Sequence, residues 1–160
     1  MDKFLLRQQV LAQLADDLLQ VEQAARAAHE TATHEENVAE NKYDTLGLEA
    51  AYLATGQARR AEAIRQAIAN WRQFHPRPYD ASKGIQLGAL VLLVDSDNKQ
   101  QQLFLGPDGG SMKLLSGAQA VQVISSETPL GRAMLGKCEG DDVSIRVARV
   151  RQQFEVIRVH

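Results

Sequence analysis

Apolar residues near the start of the chain recur at alternating steps of three and four. Phe4, Leu11, Leu14, Leu18, Val21, Ala25 and Ala28 form one stripe, interrupted at Arg7, and this spacing predicts a long helix with a heptad seam. A second stripe reads backward from Trp71 through Ile68, Ile64, Ala61, Gln57, Ala54, Ala50 and Gly47. Both stripes shrink from large to small residues toward the segment between them, a gradient that matches if the helices run antiparallel. Leu11 and Leu14 then face Ile64 and Ile68, Ala25 and Ala28 face Ala50 and Ala54, and the hairpin centres near Ala39. Arms of ~30 residues span ~45 Å at 1.5 Å per residue. His75-Pro76-Arg77-Pro78 ends the second helix, because two prolines in three residues cannot continue it and make a stiff linker.

Beyond the prolines the period changes. Ile85–Val94 is a β-rich run, Asp95-Ser96-Asp97-Asn98 a turn, and Gln102–Leu105 a return strand. Pro107-Asp108-Gly109-Gly110 turns the chain again, and Ala120–Ile124 is a further strand. Thr128 before Pro129 places a capping residue ahead of a proline at the first helical position, so Leu130–Leu135 is a short helix closed by Gly136. After the Glu139-Gly140-Asp141-Asp142 turn, Val143–Val150 alternates and pairs with Phe154–Val159 as a final hairpin. The expected fold class is α+β: an antiparallel helical hairpin over residues 1–75, a proline linker over 76–79, and a small antiparallel β domain with one short helix over 80–160.

Composition agrees with this division. The first half is rich in Ala, Gln, Glu, Arg and Leu, the second in Val, Ile, Leu, Gly and Ser. The formal net charge of −2 argues against affinity driven by nucleic-acid phosphates, but its distribution says more. Glu30, Glu35, Glu36, Glu40, Asp44 and Glu49 stand against one base, Lys42, whereas the rest of the chain holds fourteen acids and seventeen bases. The whole acidic excess falls where the hairpin should turn. The single cysteine, Cys138, excludes an internal disulfide framework. No signal-peptide core and no membrane-length apolar run is present, so a soluble cytoplasmic protein is expected.

The second half carries an ordered series of short motifs. Val123-Ile124-Ser125-Ser126-Glu127-Thr128-Pro129-Leu130-Gly131-Arg132-Ala133-Met134-Leu135-Gly136-Lys137, then Gly140-Asp141-Asp142-Val143, then Phe154-Glu155-Val156-Ile157 resembles the C-terminal domain of the bacterial Gre transcription factors. The resemblance implies an FKBP-like fold for that domain and RNA polymerase as the partner. It assigns polymerase contact to Ser126, Pro129, Leu130 and Gly131, and it implies a helical hairpin whose acidic tip enters the polymerase secondary channel. In the family an Asp and a Glu at the tip help hold a second Mg²⁺ at the polymerase active site, which then cleaves backtracked RNA. No cofactor is expected to reside in this chain; Mg²⁺ would be shared in trans. Glu36, Glu40 and Asp44 bracket the expected turn and are the leading tip candidates, followed by Glu35 and Glu49. The tip departs from the family's Asp-Leu-Ser-Glu-Asn-Ala-Glu-Tyr: anchoring on Glu40-Asn41 puts Asn37 at the Asp position, and anchoring on Glu36-Asn37 puts Thr33 there. The expectation is a monomeric, non-enzymatic regulator that contacts neither membrane nor specific nucleic-acid sequences. Its alternatives are a Gre-like inhibitor without cleavage stimulation and a coiled-coil adaptor.

Other patterns point nowhere further. Gly131 to Lys137 has the spacing of a phosphate-binding loop, but Cys138 stands where a Ser or Thr must hold Mg²⁺. His29 and His34 are five apart, on different helix faces, and make no metal pair. Cys138 lacks a local catalytic signature. Prolyl isomerase chemistry would need an apolar cup, and after Tyr79 only Phe104 and Phe154 are aromatic, both in strand patterns.

Overall fold

The computed structural model describes residues 1–38, 46–108 and 112–160. Two long helices, α1 (Lys3–Val38) and α2 (Leu46–Gln73), precede six strands: β1 (Leu90–Asp95), β2 (Gln100–Gly106), β3 (Lys113–Ser116), β4 (Gln119–Ser125), β5 (Asp142–Val147) and β6 (Val150–Val159). One short helix, α3 (Pro129–Met134), lies between β4 and β5. The chain forms two compact units: Leu11–Ala69, and Met1–Val10 together with Asn70–His160.

In the helical unit the buried side chains are Leu14, Val21, Ala28, Ala61, Ala67 and Ile68. Leu11, Leu18, Ala25, Ala54, Gln57 and Ile64 are half-buried along the same stripes, so the heptad phase holds across this unit. Its register lies later than the sequence suggests. α1 runs to Val38 and α2 starts at Leu46, a midpoint beyond Ala39. The Arg65 guanidinium meets the Glu22 carboxylate at 2.7 Å across the helices. Heptad spacing fixes which face is buried; the length of the connection fixes which turns oppose each other. A groove of about 660 Å³ runs between Ala25 and His29 on one side and Ala54 and Ala58 on the other. Leu14 is buried, so Leu14→Ala should cost about 2–5 kcal/mol. An unchanged thermal midpoint would show that the site collapses without loss.

The second unit is built on one sheet, ordered β3-β4-β2-β1-β6-β5. As expected it is mostly antiparallel, with one parallel pair. β2 and β4 run parallel, from Gln102↔Val121 to Gly106↔Ser125, because β3 forms the edge and hairpins back to insert β4 beside β2. Val91 and Leu93 of β1, with Leu103 and Leu105 of β2, join Ile85, Ile124, Met134, Val143, Val156 and Val159 in one buried cluster. The intervening Leu90 and Phe104 alternate to the other face and are also fully buried. There the Trp71 ring lies 5.8 Å from that of Phe104, and its indole N–H donates to the Asp108 carbonyl at 3.1 Å. A Cβ on Gly106 would run into the Trp71 ring, so that glycine is required by close approach.

Four local expectations need correction. Phe4 is not a seam residue: it is 56% exposed, while Leu6 and Val10 are buried. The first turns of α1 answer to another neighbourhood, where Arg7 donates to the carbonyls of Trp71 and Arg72 at 3.0 and 2.8 Å. Ile85–Ala89 is not strand; Gly88, at φ 90°, bends this segment, and Ile85 exchanges backbone hydrogen bonds with Gly136 and Lys137. β3 has no counterpart among the strands expected from the sequence. The strand expected over Val143–Val150 is cut at Ala148 and Arg149, whose φ values of 47° and 69° make a tight left-handed turn. Turns of this hand normally announce themselves with Asn or Gly, and neither is present.

Candidate functional site

Two regions carry the candidate residues. The acidic segment is described only at its flanks. Glu35 and Glu36 belong to the last turn of α1, and Glu49 to the first turn of α2, where its side chain is exposed. Glu40 and Asp44 lie outside the described residues. A carboxylate in the first turn of α2 suits the positive end of the helix dipole, which gives Glu49 a structural role as well.

The second region is the passage from β4 into α3. The buried Ser125 ends β4, and its carbonyl accepts from the Thr128 N–H at 3.2 Å and the Thr128 hydroxyl at 2.8 Å. The same Thr128 oxygen accepts from the Gly131 N–H at 3.0 Å, capping a helix that begins with Pro129. A Cβ on Gly131 would clash with the Ser125 carbonyl, and Leu130 packs partly against the core. Of the four residues assigned to contact, Gly131 is buried, Ser126 and Leu130 are half-buried, and Pro129 is exposed.

Sequence reasoning missed their apolar neighbours. Leu87 and Leu135, 40% and 41% exposed, line a cavity of about 680 Å³ together with Ser126, Tyr79, Gln86 and Lys83. The Leu-Gly after the helix is the available signal for Leu135. The rim is largely basic, with Lys3, Arg77 and Lys83 near Asp80. The Ser82 hydroxyl and N–H, at 2.6 and 3.0 Å, hold the Asp80 carboxyl below its usual range, helped by Lys83. Burial pushes the Lys3 ammonium down. Burial also pushes the Tyr79 phenol up, with the Cys138 thiol adding to it. Among the described residues no cluster of His, Cys, Asp and Glu could hold a metal ion. His29 and His34 are exposed.

A family model described as "Transcription elongation factor, GreA/GreB, C-term" matches residues 80–160, the stretch that holds the sheet, α3 and the Ser126 surface. The chain belongs to the Gre family. Across both halves it is similar to the transcription elongation factor GreA of Desulfovibrio desulfuricans, 31% identical over 152 residues, covering 93% of this chain and 84% of that protein. It is also similar to the GreA of Maridesulfovibrio salexigens, 32% identical over 77 residues, and that of Desulfotalea psychrophila, 33% identical over 79. The chain spans 44% and 45% of the length of these two curated relatives. Among solved structures, GreA factor homolog 1 of Thermus thermophilus aligns over 94% of each chain at 22% identity, with a TM-score of 0.37. No helix among the described residues is long and apolar enough to cross a membrane.

Proposed function

We propose that this Gre-family chain binds RNA polymerase through the surface around Ser126, Pro129 and Leu135, and acts on transcription through the acidic segment that joins its two helices. The observation that carries the reading is the family match over residues 80–160, a stretch in which Pro129 is exposed and half-buried Ser126 shares a cavity with exposed Leu87 and Leu135. The hairpin supplies reach into the secondary channel. The chain has no reaction of its own; it acts by placing carboxylates in the channel. Hard divalent cations take oxygen ligands, and a Mg²⁺ at the polymerase centre would steady the attacking and leaving oxygens of phosphoryl transfer. Glu36, Glu40 and Asp44 are the carboxylates assigned to that role, with Glu35 and Glu49 flanking them. Because this segment lacks the family's Asp-Leu-Ser-Glu pattern, occupation of the channel is favoured over cleavage stimulation.

The test is a titration of the labelled chain against purified core RNA polymerase. Saturable binding is expected, and Pro129→Asp with Leu135→Asp should weaken it about tenfold or more, as loss of an interface anchor does. Absence of binding by the unaltered chain ends the reading. Full affinity in the double variant moves the docking surface elsewhere.

A further inference from the structure

β5 is the outermost strand at one end of the sheet. Among the described residues its ladder partner is β6 alone, and no other backbone hydrogen bond engages 142–147. Half of its backbone polar groups therefore face outward, ready for another strand. Charges on an edge strand ordinarily discourage such pairing. Here their order does the reverse for one particular partner.

Along β5, Asp142, Val143, Ser144, Ile145 and Arg146 follow one another. Read antiparallel against itself about Ser144, this segment places Asp142 opposite Arg146, Val143 opposite Ile145, and Ser144 opposite its own copy. Opposite charges directly across a pair of strands attract, and like charges repel. Within the chain the register is unfavourable at both ends: Asp142 lies across from Glu155, and Arg146 across from Arg151. Arg151 finds the Ser144 hydroxyl at 2.9 Å. Neither Asp142 nor Arg146 has an ion-pair partner among the described residues. A second β5 supplies each with the missing opposite charge. On the other face it sets half-buried Ile145 beside Val143, which already belongs to the core.

We propose that β5 is a self-recognition edge: two copies of this chain join through antiparallel β5–β5 pairing centred on Ser144, extending the sheet across a two-fold axis. Such an interface is isologous and closes on itself, so it yields dimers and not filaments. The charge order also selects the register. Parallel pairing would put Asp142 on Asp142 and Arg146 on Arg146, and a slip of two residues would lose both ion pairs. The proposal replaces the expectation of a monomer and does not rest on the polymerase reading.

Sedimentation equilibrium of the full chain over a wide concentration range tests it. A reversible dimer is expected. Arg146→Asp and Asp142→Arg should each weaken dimerisation about tenfold or more, by turning two attractions into repulsions. The double exchange, Asp142→Arg with Arg146→Asp, should restore it, since the opposite charges face each other again. Circular dichroism of each variant confirms an intact fold. Hydrogen exchange on the unaltered chain gives a second measure free of substitutions: amides in 142–146 should exchange more slowly as concentration rises. A monomer at every concentration overturns the proposal. So does a dimer that survives either single reversal, a double exchange that fails to restore the dimer, or exchange in β5 that ignores concentration.

Discussion

Replacing Glu36, Glu40 and Asp44 together by Gln, Gln and Asn is expected to abolish the chain's effect on transcription while leaving its affinity for core RNA polymerase nearly unchanged. The separation follows from the chain itself. The acidic excess is confined to the segment from Glu30 to Glu49, whereas the proposed docking residues Ser126, Pro129 and Leu135 belong to the sheet-bearing unit. Sites that share no partner should act additively. Amides keep the size of the side chains and remove only the charge, so lost activity with retained binding isolates the electrostatic contribution. The measurement is an assay on a stalled elongation complex at fixed Mg²⁺, run beside the binding titration. Full activity in the triple variant sinks the role given to these carboxylates. Lost binding instead makes them docking contacts. The sign of the effect in the unaltered chain distinguishes cleavage stimulation from channel occupation.

The largest effect on stability should come from Trp71→Ala, at about 3–5 kcal/mol. Trp71 is fully buried and packs on Phe104 and Phe74, each with ring centroids 5.8 Å away. Gly106 carries no side chain where the indole lies. Truncation opens a cavity bounded by rigid sheet backbone, which cannot collapse to fill it. Trp71→Phe keeps most of the packing and loses mainly the hydrogen bond to the Asp108 carbonyl, a smaller cost of about 0.5–1.5 kcal/mol. Urea unfolding of both variants checks the order. Equal losses would mean that the hydrogen bond, not the ring volume, dominates.

Much of the helical half is legible in the sequence because a helix writes its buried face in a fixed period. Leu14, Val21, Ala28, Ala61, Ile68 and Trp71 can be read off directly, and all are buried. The same period fails in the first turns of α1, where Phe4 is exposed and Arg7 donates to the carbonyls at the end of α2. In the sheet, strand positions follow from apolar runs between turn residues, but direction does not. β4 runs parallel to β2 because the chain first runs back through β3, so its direction cannot be read without that strand. β3 is invisible because four residues with adjacent leucines carry no alternation. The turn at Ala148 and Arg149 lacks the residues its backbone prefers, so the sequence there looks like continuous strand. In the candidate site, Thr128 and Pro129 announce the helix start, while the exposure of Leu87 and Leu135 emerges only when residues 48 positions apart are brought to one cavity.

The position of β6 bears on how the domain comes into being. β1, near the start of the sheet-forming sequence, has β2 on one side and β6 on the other, so one flank of the sheet can assemble early from neighbouring segments. The other flank waits for residues 150–159. During synthesis, β1 would leave the ribosome with one edge unsatisfied and with Val91 and Leu93 awaiting Val156 and Val159. Long-range pairing of this kind slows folding, because the loop must close before its contacts form. The nascent chain is thus most vulnerable to aggregation until β6 is in place, and shortening that strand should harm yield far more than shortening β3 at the opposite edge.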